Sequence, residues 1–195
     1  VTLGSHQRTI GRSQDHITPK YIIDMYGPFK LDPCAAVVRP WDCAEVNWTS
    51  DGLVRNWRPF GMKYVNPPFN QYEVGDWIAK AADEGNGNAI VLLHARTEAG
   101  WFMPVWRYAA CILFLHDRIR FCRPDGSQQP HNSGAPPILV AFGEEAAQRL
   151  YRPGLAGSLV TRWHIQAAGA VRPQLLVVRP SAEITERKSP FFSGA

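Results

Sequence analysis

Ala89-Ile90-Val91-Leu92-Leu93 is an unbroken apolar run that closes on His94. A run of strand length with no polar face must be covered on both sides, which is how strands inside a parallel sheet read. Ala110–Leu115 and Ile138–Phe142 have the same character. Between these runs lie segments of helical period. Tyr72–Asp83 places Val74, Trp77, Ile78 and Ala81 on one side, and Thr97–Tyr108 reads as a second helix. Strands buried on both faces and separated by helices predict an α/β three-layer sandwich with a mostly parallel sheet.

The rest of the chain fits around that frame. Residues 1–17 are polar and aperiodic and read as an arm or loop. Thr18-Pro19 predicts a helix start, with Thr18 as N-cap, Pro19 at the first helical position and Ile22, Ile23 and Tyr26 as the apolar face. Gly27-Pro28 stops it, and Phe29–Asp32 forms a short strand running into Pro33-Cys34-Ala35-Ala36. Residues 37–62 show no clean period, and Tyr64-Val65 is a strand ending at Asn66. Ile119–Cys122 is expected to pair with Ala110–Leu115 through His116-Asp117-Arg118, followed by a long polar loop to Pro137. Glu144–Tyr151 is a short helix. Ser158–Ile165 and Leu175–Arg179 read as strands of a C-terminal appendage, and Ser181–Ala195 as a tail.

Composition narrows the function classes. The 195 residues carry a net charge of +4, and all of it lies in the second half. Residues 1–97 hold ten basic and ten acidic side chains, and residues 98–195 hold eleven and seven. Sixteen of the 21 basic residues are Arg, whose planar fork suits phosphate and base edges. No apolar run approaches the roughly 18 residues of a membrane span. The first residues have no secretory apolar stretch. Cys34, Cys43, Cys111 and Cys122 form no CxxC pair, which argues against a zinc site or disulfide framework and for a reducing cytoplasm.

Ligands in open α/β sheets bind at the C-terminal ends of strands. Two tetrapeptides fall there: Asp32-Pro33-Cys34-Ala35 and Asn66-Pro67-Pro68-Phe69. In the second, two prolines remove two amide donors and fix two backbone angles. The Asn66 side-chain oxygen and the Pro67 carbonyl are then presented as acceptors, which suits the two N–H bonds of an exocyclic amine. Phe69 offers a ring face to a planar group that has left its helix. Alone, the tetrapeptide reads more readily as a Pro-rich turn with a structural Asn and a core Phe. Thr18 alone is an N-cap, and Asp32 and Asp51 alone are turn caps.

The order of the pieces is more specific. From about Gly4-Ser5-His6-Gln7 to Phe142, the chain resembles the phage-type DNA N-6-adenine methyltransferase family, S-adenosylmethionine-dependent enzymes with an NPPY/F motif. The resemblance rests on Leu31-Asp32-Pro33-Cys34-Ala35, Asp51-Gly52-Leu53, Val65-Asn66-Pro67-Pro68-Phe69, Ala95-Arg96-Thr97-Glu98, and Phe121-Cys122-Arg123-Pro124-Asp125-Gly126 with Ser133-Gly134-Ala135-Pro136. It implies a class I, Rossmann-like methyltransferase domain over 1–143, with 144–195 as an appendage rather than an independent domain. It implies methyl transfer from S-adenosylmethionine to the amine of a flipped adenine in DNA. Asn66, Pro67, Pro68 and Phe69 are the implied catalytic set. Thr18, Pro19, Asp32 and the Pro33, Cys34 and Ala35 backbone are implied to line the methionine end of the cofactor, Asp51 to accept from its adenine amine, and Asn66 to touch the cofactor as well as the target amine. Neither a metal nor a covalent nucleophile is required, and Cys34 reads as a packed thiol.

Two departures matter. Asp32-Pro33-Cys34-Ala35 lacks a Gly-rich loop, and only 33 residues separate Asp32 from Asn66. The sheet is therefore expected to be trimmed on that side, with Glu45 as the candidate acid for the cofactor ribose. For DNA contact, Arg118, Arg120 and Arg123 on the expected hairpin and Arg96-Thr97 at the active-site rim are the candidates. The hairpin arginines fit equally a solvated edge that discourages strand pairing. Two alternatives stand beside the DNA enzyme: a glutamine-N5 protein methyltransferase, which also uses NPPY, and a non-catalytic DNA-binding module on the same fold.

Overall fold

The structure is a computed structural model and describes residues 16–70, 72–84 and 88–161. A seven-stranded sheet has the order β2-β1-β3-β4-β6-β5-β7. Its strands are β1 (Leu31–Asp32), β2 (Val46–Asn47), β3 (Lys63–Val65), β4 (Ala89–His94), β5 (Cys111–Leu115), β6 (Pro137–Phe142) and β7 (Gly157–Thr161). Helices α1 (Lys20–Tyr26), α2 (Val74–Glu84), α3 (Met103–Tyr108) and α4 (Glu144–Leu150) flank it.

The apolar runs explain the layers. Alternate side chains of β4 point to opposite faces. Ile90 and Leu92 share one core with Ile22, Ile23 and Tyr26 of α1 and Ala146, Ala147 and Leu150 of α4. Ala89, Val91 and Leu93 share the other with Val74, Trp77, Ile78 and Ala81 of α2 and Val105 of α3. All six residues of β6 are buried. Each such Leu, Ile or Val contributes about 1.5–3 kcal/mol by leaving water. Helices α4 and strand β7, which lie past the boundary the sequence suggests at residue 143, are part of these layers.

The mostly parallel sheet needs correction: three of its pairings are parallel and three antiparallel. Strand β6 runs back between β4 and β5 and pairs antiparallel with both. Five strands (β1 to β5) still point the same way, so the tips of β1, β3 and β4 share one edge.

Other local expectations shift for identifiable reasons. Pro19, not Thr18, is the N-cap of α1, and no side chain caps the helix. The Thr18 hydroxyl instead bonds the Tyr64 hydroxyl at 2.7 Å. The helix expected over Thr97–Tyr108 begins as a 3-10 turn at Gly100–Phe102 before α3. Ile119–Cys122 does not pair with β5, because both edges of β5 are already taken by β6 and β7. Cys122 instead bridges Ile17 on one side and Gln128 on the other. Strand β2, two residues long, carries no periodic signal. Leu175–Arg179, Ser181–Ala195 and the Gly4–Gln7 end of the family-like region lie outside the described residues.

Candidate active site

Register places the site. Leu31 pairs with Lys63, and Lys63 with Ala89, so Asp32, Asn66 and His94 end neighbouring strands on one edge. A pocket with about 310 Å³ of empty space, mouth included, opens there. Ile17, Thr18, Asp32, Cys34, Tyr64 and Asn66 form its inner part, and Arg39, Trp41 and Cys43 come from the loop after β1. The Trp41 indole N–H donates to the Thr18 carbonyl at 3.1 Å, which ties this loop to the segment before α1.

Asp32 is buried. Burial pushes its carboxyl up to about 6, opposed by a hydrogen bond from the Cys34 amide at 3.0 Å and by the charge of Arg39. A cation arriving in the pocket would favour the charged carboxylate. Burial and the Asp32 charge push the Cys34 thiol well above its ordinary range, and the Cys43 thiol likewise. Both shifts favour the protonated thiol over the nucleophilic thiolate.

Asn66 follows β3 directly. Its side-chain N–H donates to the His16 carbonyl at 2.7 Å. That bond fixes the amide so that Oδ1 is the free end. Oδ1 is buried and has no partner among the described residues. A buried carbonyl oxygen without a donor costs about 1–3 kcal/mol, so this one is poised for a donor supplied by a ligand. Phe69 stacks on the His94 ring with centroids 4.0 Å apart and planes 15° from parallel. Phe121 leans against Phe69 at 6.3 Å and meets the His16 ring edge-on at 5.2 Å. Burial, with Arg96 and His16 nearby, lowers His94 to about 4, so the ring in the stack is neutral.

Asp51 lies past β2 with positive φ, its carboxylate mostly exposed and hydrogen-bonded by the Ser50 hydroxyl at 3.0 Å. It is not among the pocket-lining residues. The next residue, Gly52, packs so closely that an added Cβ would stand 1.9 Å from the Pro33 carbonyl oxygen. The fully buried Trp57 holds this turn through its indole N–H, which donates to the Gly52 carbonyl at 2.7 Å. Glu45 precedes β2 and pairs with Lys30, which precedes β1. It therefore sits at the start of these strands, not at the tips where the pocket opens.

A family model described as DNA N-6-adenine-methyltransferase (Dam) matches residues 13–171. The chain belongs to this DNA N-6-adenine-methyltransferase family. Among curated proteins and solved structures, none matches it at a significant level.

As a member of this methyltransferase family, the chain brings together Thr18, Asp32, Cys34 and Asn66 around one pocket. Arg96 and Thr97 are exposed just past the tip of β4, beside the His94–Phe69 stack. Arg118, Arg120 and Arg123 are exposed too, while Ile119, Phe121 and Cys122 between them are buried. The arginines are not on a hairpin with β5. Their segment folds against residues 127–133 through backbone bonds such as Gln129 to Phe121 and Ser133 to Ile119, each 2.8 Å. Arg118 is engaged in that loop, donating to the Ser133 and Gly134 carbonyls at 3.0 and 3.2 Å. Arg39, Trp41, Cys43, Tyr64 and His16 were not singled out by sequence reasoning. The first three lie in the aperiodic stretch 37–62, and His16 acts through its backbone, which no sequence motif displays. Among the described residues no His/Cys/Asp/Glu group could hold a metal ion, and no helix is long and apolar enough to cross a membrane.

Proposed function

We propose that this chain is an S-adenosylmethionine-dependent DNA adenine N6-methyltransferase acting on an adenine flipped out of its strand. The observation that carries this reading is the buried, unpartnered Oδ1 of Asn66 at the tip of β3, beside the pocket that contains Asp32. The order and directions of β2-β1-β3-β4-β6-β5 also suit a class I methyltransferase sheet trimmed at the β2 edge, with β6 as its reversed strand and β7, reversed as well, added at the far edge.

The residues at the β1 tip fit the methionine end of the cofactor, while Asp51, exposed and outside the pocket lining, could serve only the far, adenine end. Asp32 would meet the ammonium of its methionine end, Thr18, Pro19 and the Pro33–Ala35 backbone would line that end, and Asp51 would meet the adenine amine. When bound, the cofactor supplies an electrophilic methyl group on a sulfonium that leaves as a thioether. The protein's work falls on the acceptor. An adenine amine is a poor nucleophile because its lone pair is conjugated with the ring. Asn66 Oδ1 and the Pro67 carbonyl would each accept one N–H, favouring a pyramidal nitrogen with its lone pair toward the methyl. Pro68 stiffens the turn and Phe69, backed by neutral His94, gives the base a ring to stack on. As the N–C bond forms, the nitrogen becomes cationic and releases one proton to water. Arg96, Thr97, Arg120 and Arg123 would meet DNA phosphates, in a bacterial or phage-infected cytoplasm.

The test is transfer of a tritiated methyl group to plasmid DNA, with digestion and identification of the labelled nucleoside. Label in N6-methyladenine supports the reading. Cofactor binding with no transfer to any DNA would sink it. Label on a glutamine side chain of a protein substrate would move the chain to the protein methyltransferases.

A further inference from the structure

The cofactor's amino-acid end carries a carboxylate as well as an ammonium, and the sequence names no residue for the carboxylate. Backbone amides in a Gly-rich loop commonly meet anions. Here the first three residues after Asp32 have none to give. Pro33 has no N–H, the Cys34 N–H is committed to Asp32 Oδ1 at 3.0 Å, and the Ala35 N–H to the Trp48 carbonyl at 2.9 Å. The neutral side-chain donors are at least partly engaged. Trp41 Nε1 donates to the Thr18 carbonyl, Asn66 Nδ2 to the His16 carbonyl, and the Thr18 and Tyr64 hydroxyls bond each other.

One charged donor lines the pocket. Arg39 is the sole Lys or Arg among the lining residues, as Asp32 is the sole carboxylate. Its side chain is 23% exposed, and it is held in two places. Nε donates to Asp42 Oδ1 at 2.6 Å, and one terminal nitrogen donates to the Ala36 carbonyl at 2.9 Å. The other terminal nitrogen makes no hydrogen bond among the described residues. Arg39 is close enough to Asp32 for its charge to act on that carboxylate. The pocket lining thus carries one negative and one positive side chain, the counterpart of an α-amino acid zwitterion.

We propose that Arg39 holds the α-carboxylate of the cofactor, in the pocket it shares with Asp32, which takes the α-ammonium. The proposal rests on the cofactor reading above and assigns a binding residue to it. An Arg already fixed through two of its nitrogens gives up little side-chain freedom when the third engages a carboxylate.

Calorimetry with two ligands tests it: S-adenosylhomocysteine, and its decarboxylated analogue, which keeps the amine and lacks only the carboxylate. Wild-type protein is expected to prefer S-adenosylhomocysteine by about tenfold or more, the size of a charge-assisted hydrogen bond. Arg39→Met should erase that preference while leaving the analogue's affinity within about twofold, and Arg39→Lys should restore part of it. Equal binding of both ligands by the wild type overturns the assignment without any variant, as does a preference that survives in Arg39→Met. Wild type that binds neither ligand fails the cofactor reading itself. Thermal melts of both variants report folding, and if Arg39→Met does not fold, the wild-type comparison and Arg39→Lys decide.

Discussion

Asn66 gives its amide N–H to the carbonyl of His16, 50 residues earlier in the chain and 2.7 Å away. The bond decides which end of the amide is available: nitrogen is committed, and the buried oxygen is not. The segment before α1 therefore orients a side chain at the tip of β3.

Removing that oxygen should separate catalysis from cofactor binding. Asn66→Ala is expected to lower methyl transfer about 100- to 1,000-fold, the usual loss for a positioned polar group at a reacting centre. Its affinity for S-adenosylhomocysteine should stay within about threefold. Parallel single-turnover kinetics and calorimetry check both, and equal losses would mean that Asn66 belongs to the cofactor's contacts.

Asp32 gives a pH dependence with a definite sign. Its carboxyl rises from 3.8 to about 6 on folding, so the folded protein binds more protons than the unfolded chain between those values. Its effect on the ligand-free protein is therefore destabilising above pH 6 and relieved as pH falls toward 4. Asp32→Asn should stabilise the free protein at pH 8 by up to about 3 kcal/mol, by denaturant titration. The same variant should lose cofactor affinity, and wild-type affinity should fall as pH drops below 6.

His94 acts in the opposite sense over a similar range. Its value falls from 6.5 to about 4 on folding, so its contribution is complete above 6.5 and lost as pH drops toward 4. His94→Phe keeps an aromatic ring under Phe69 and cannot ionise. Between pH 7 and pH 4.5 its unfolding midpoint should shift in the stabilising direction relative to wild type, where the loss at His94 offsets the gain at Asp32.

Gly52 allows the turn after β2 to lie on the Pro33 carbonyl. Gly52→Ala sets a Cβ 1.9 Å from that oxygen, a collision with backbone that no rotamer relieves. A loss of about 2 kcal/mol or more is expected by chemical denaturation. Cofactor affinity should weaken with it, since Pro33 follows Asp32 directly.

Arg120 and Arg123 are exposed and Arg118 is tied into its own loop. Arg120→Ala and Arg123→Ala should each weaken DNA binding with a salt slope smaller by about one, read from affinity against log salt. Arg118→Ala should lower the melting temperature as well, because it releases two carbonyl contacts.

What was legible in the sequence was whatever one contiguous segment carries. Ala89–His94 and Ile138–Phe142 announce themselves because burial on both faces leaves no polar position. Asn66-Pro67-Pro68-Phe69 announces itself because its prolines restrict the backbone locally. Strand β2 was silent, since two residues have no period. The placement of Ile119–Cys122 failed because β5 had two better partners, β6 and β7, that a local reading does not weigh.

The sequence by itself determined the strand-and-helix alternation, the two acceptor-rich tetrapeptides and the family. These depend on side-chain period and backbone restriction, which act over a few residues. Tertiary structure decided the sheet order, the turning of Thr18 from helix cap to pocket wall, the free oxygen on Asn66 and the placing of Asp32 and Arg39 on one pocket. Each of these is set by packing rather than by local chain geometry, and even Asp32 and Arg39, seven positions apart, line one pocket only because β1 and the loop after it are folded around it.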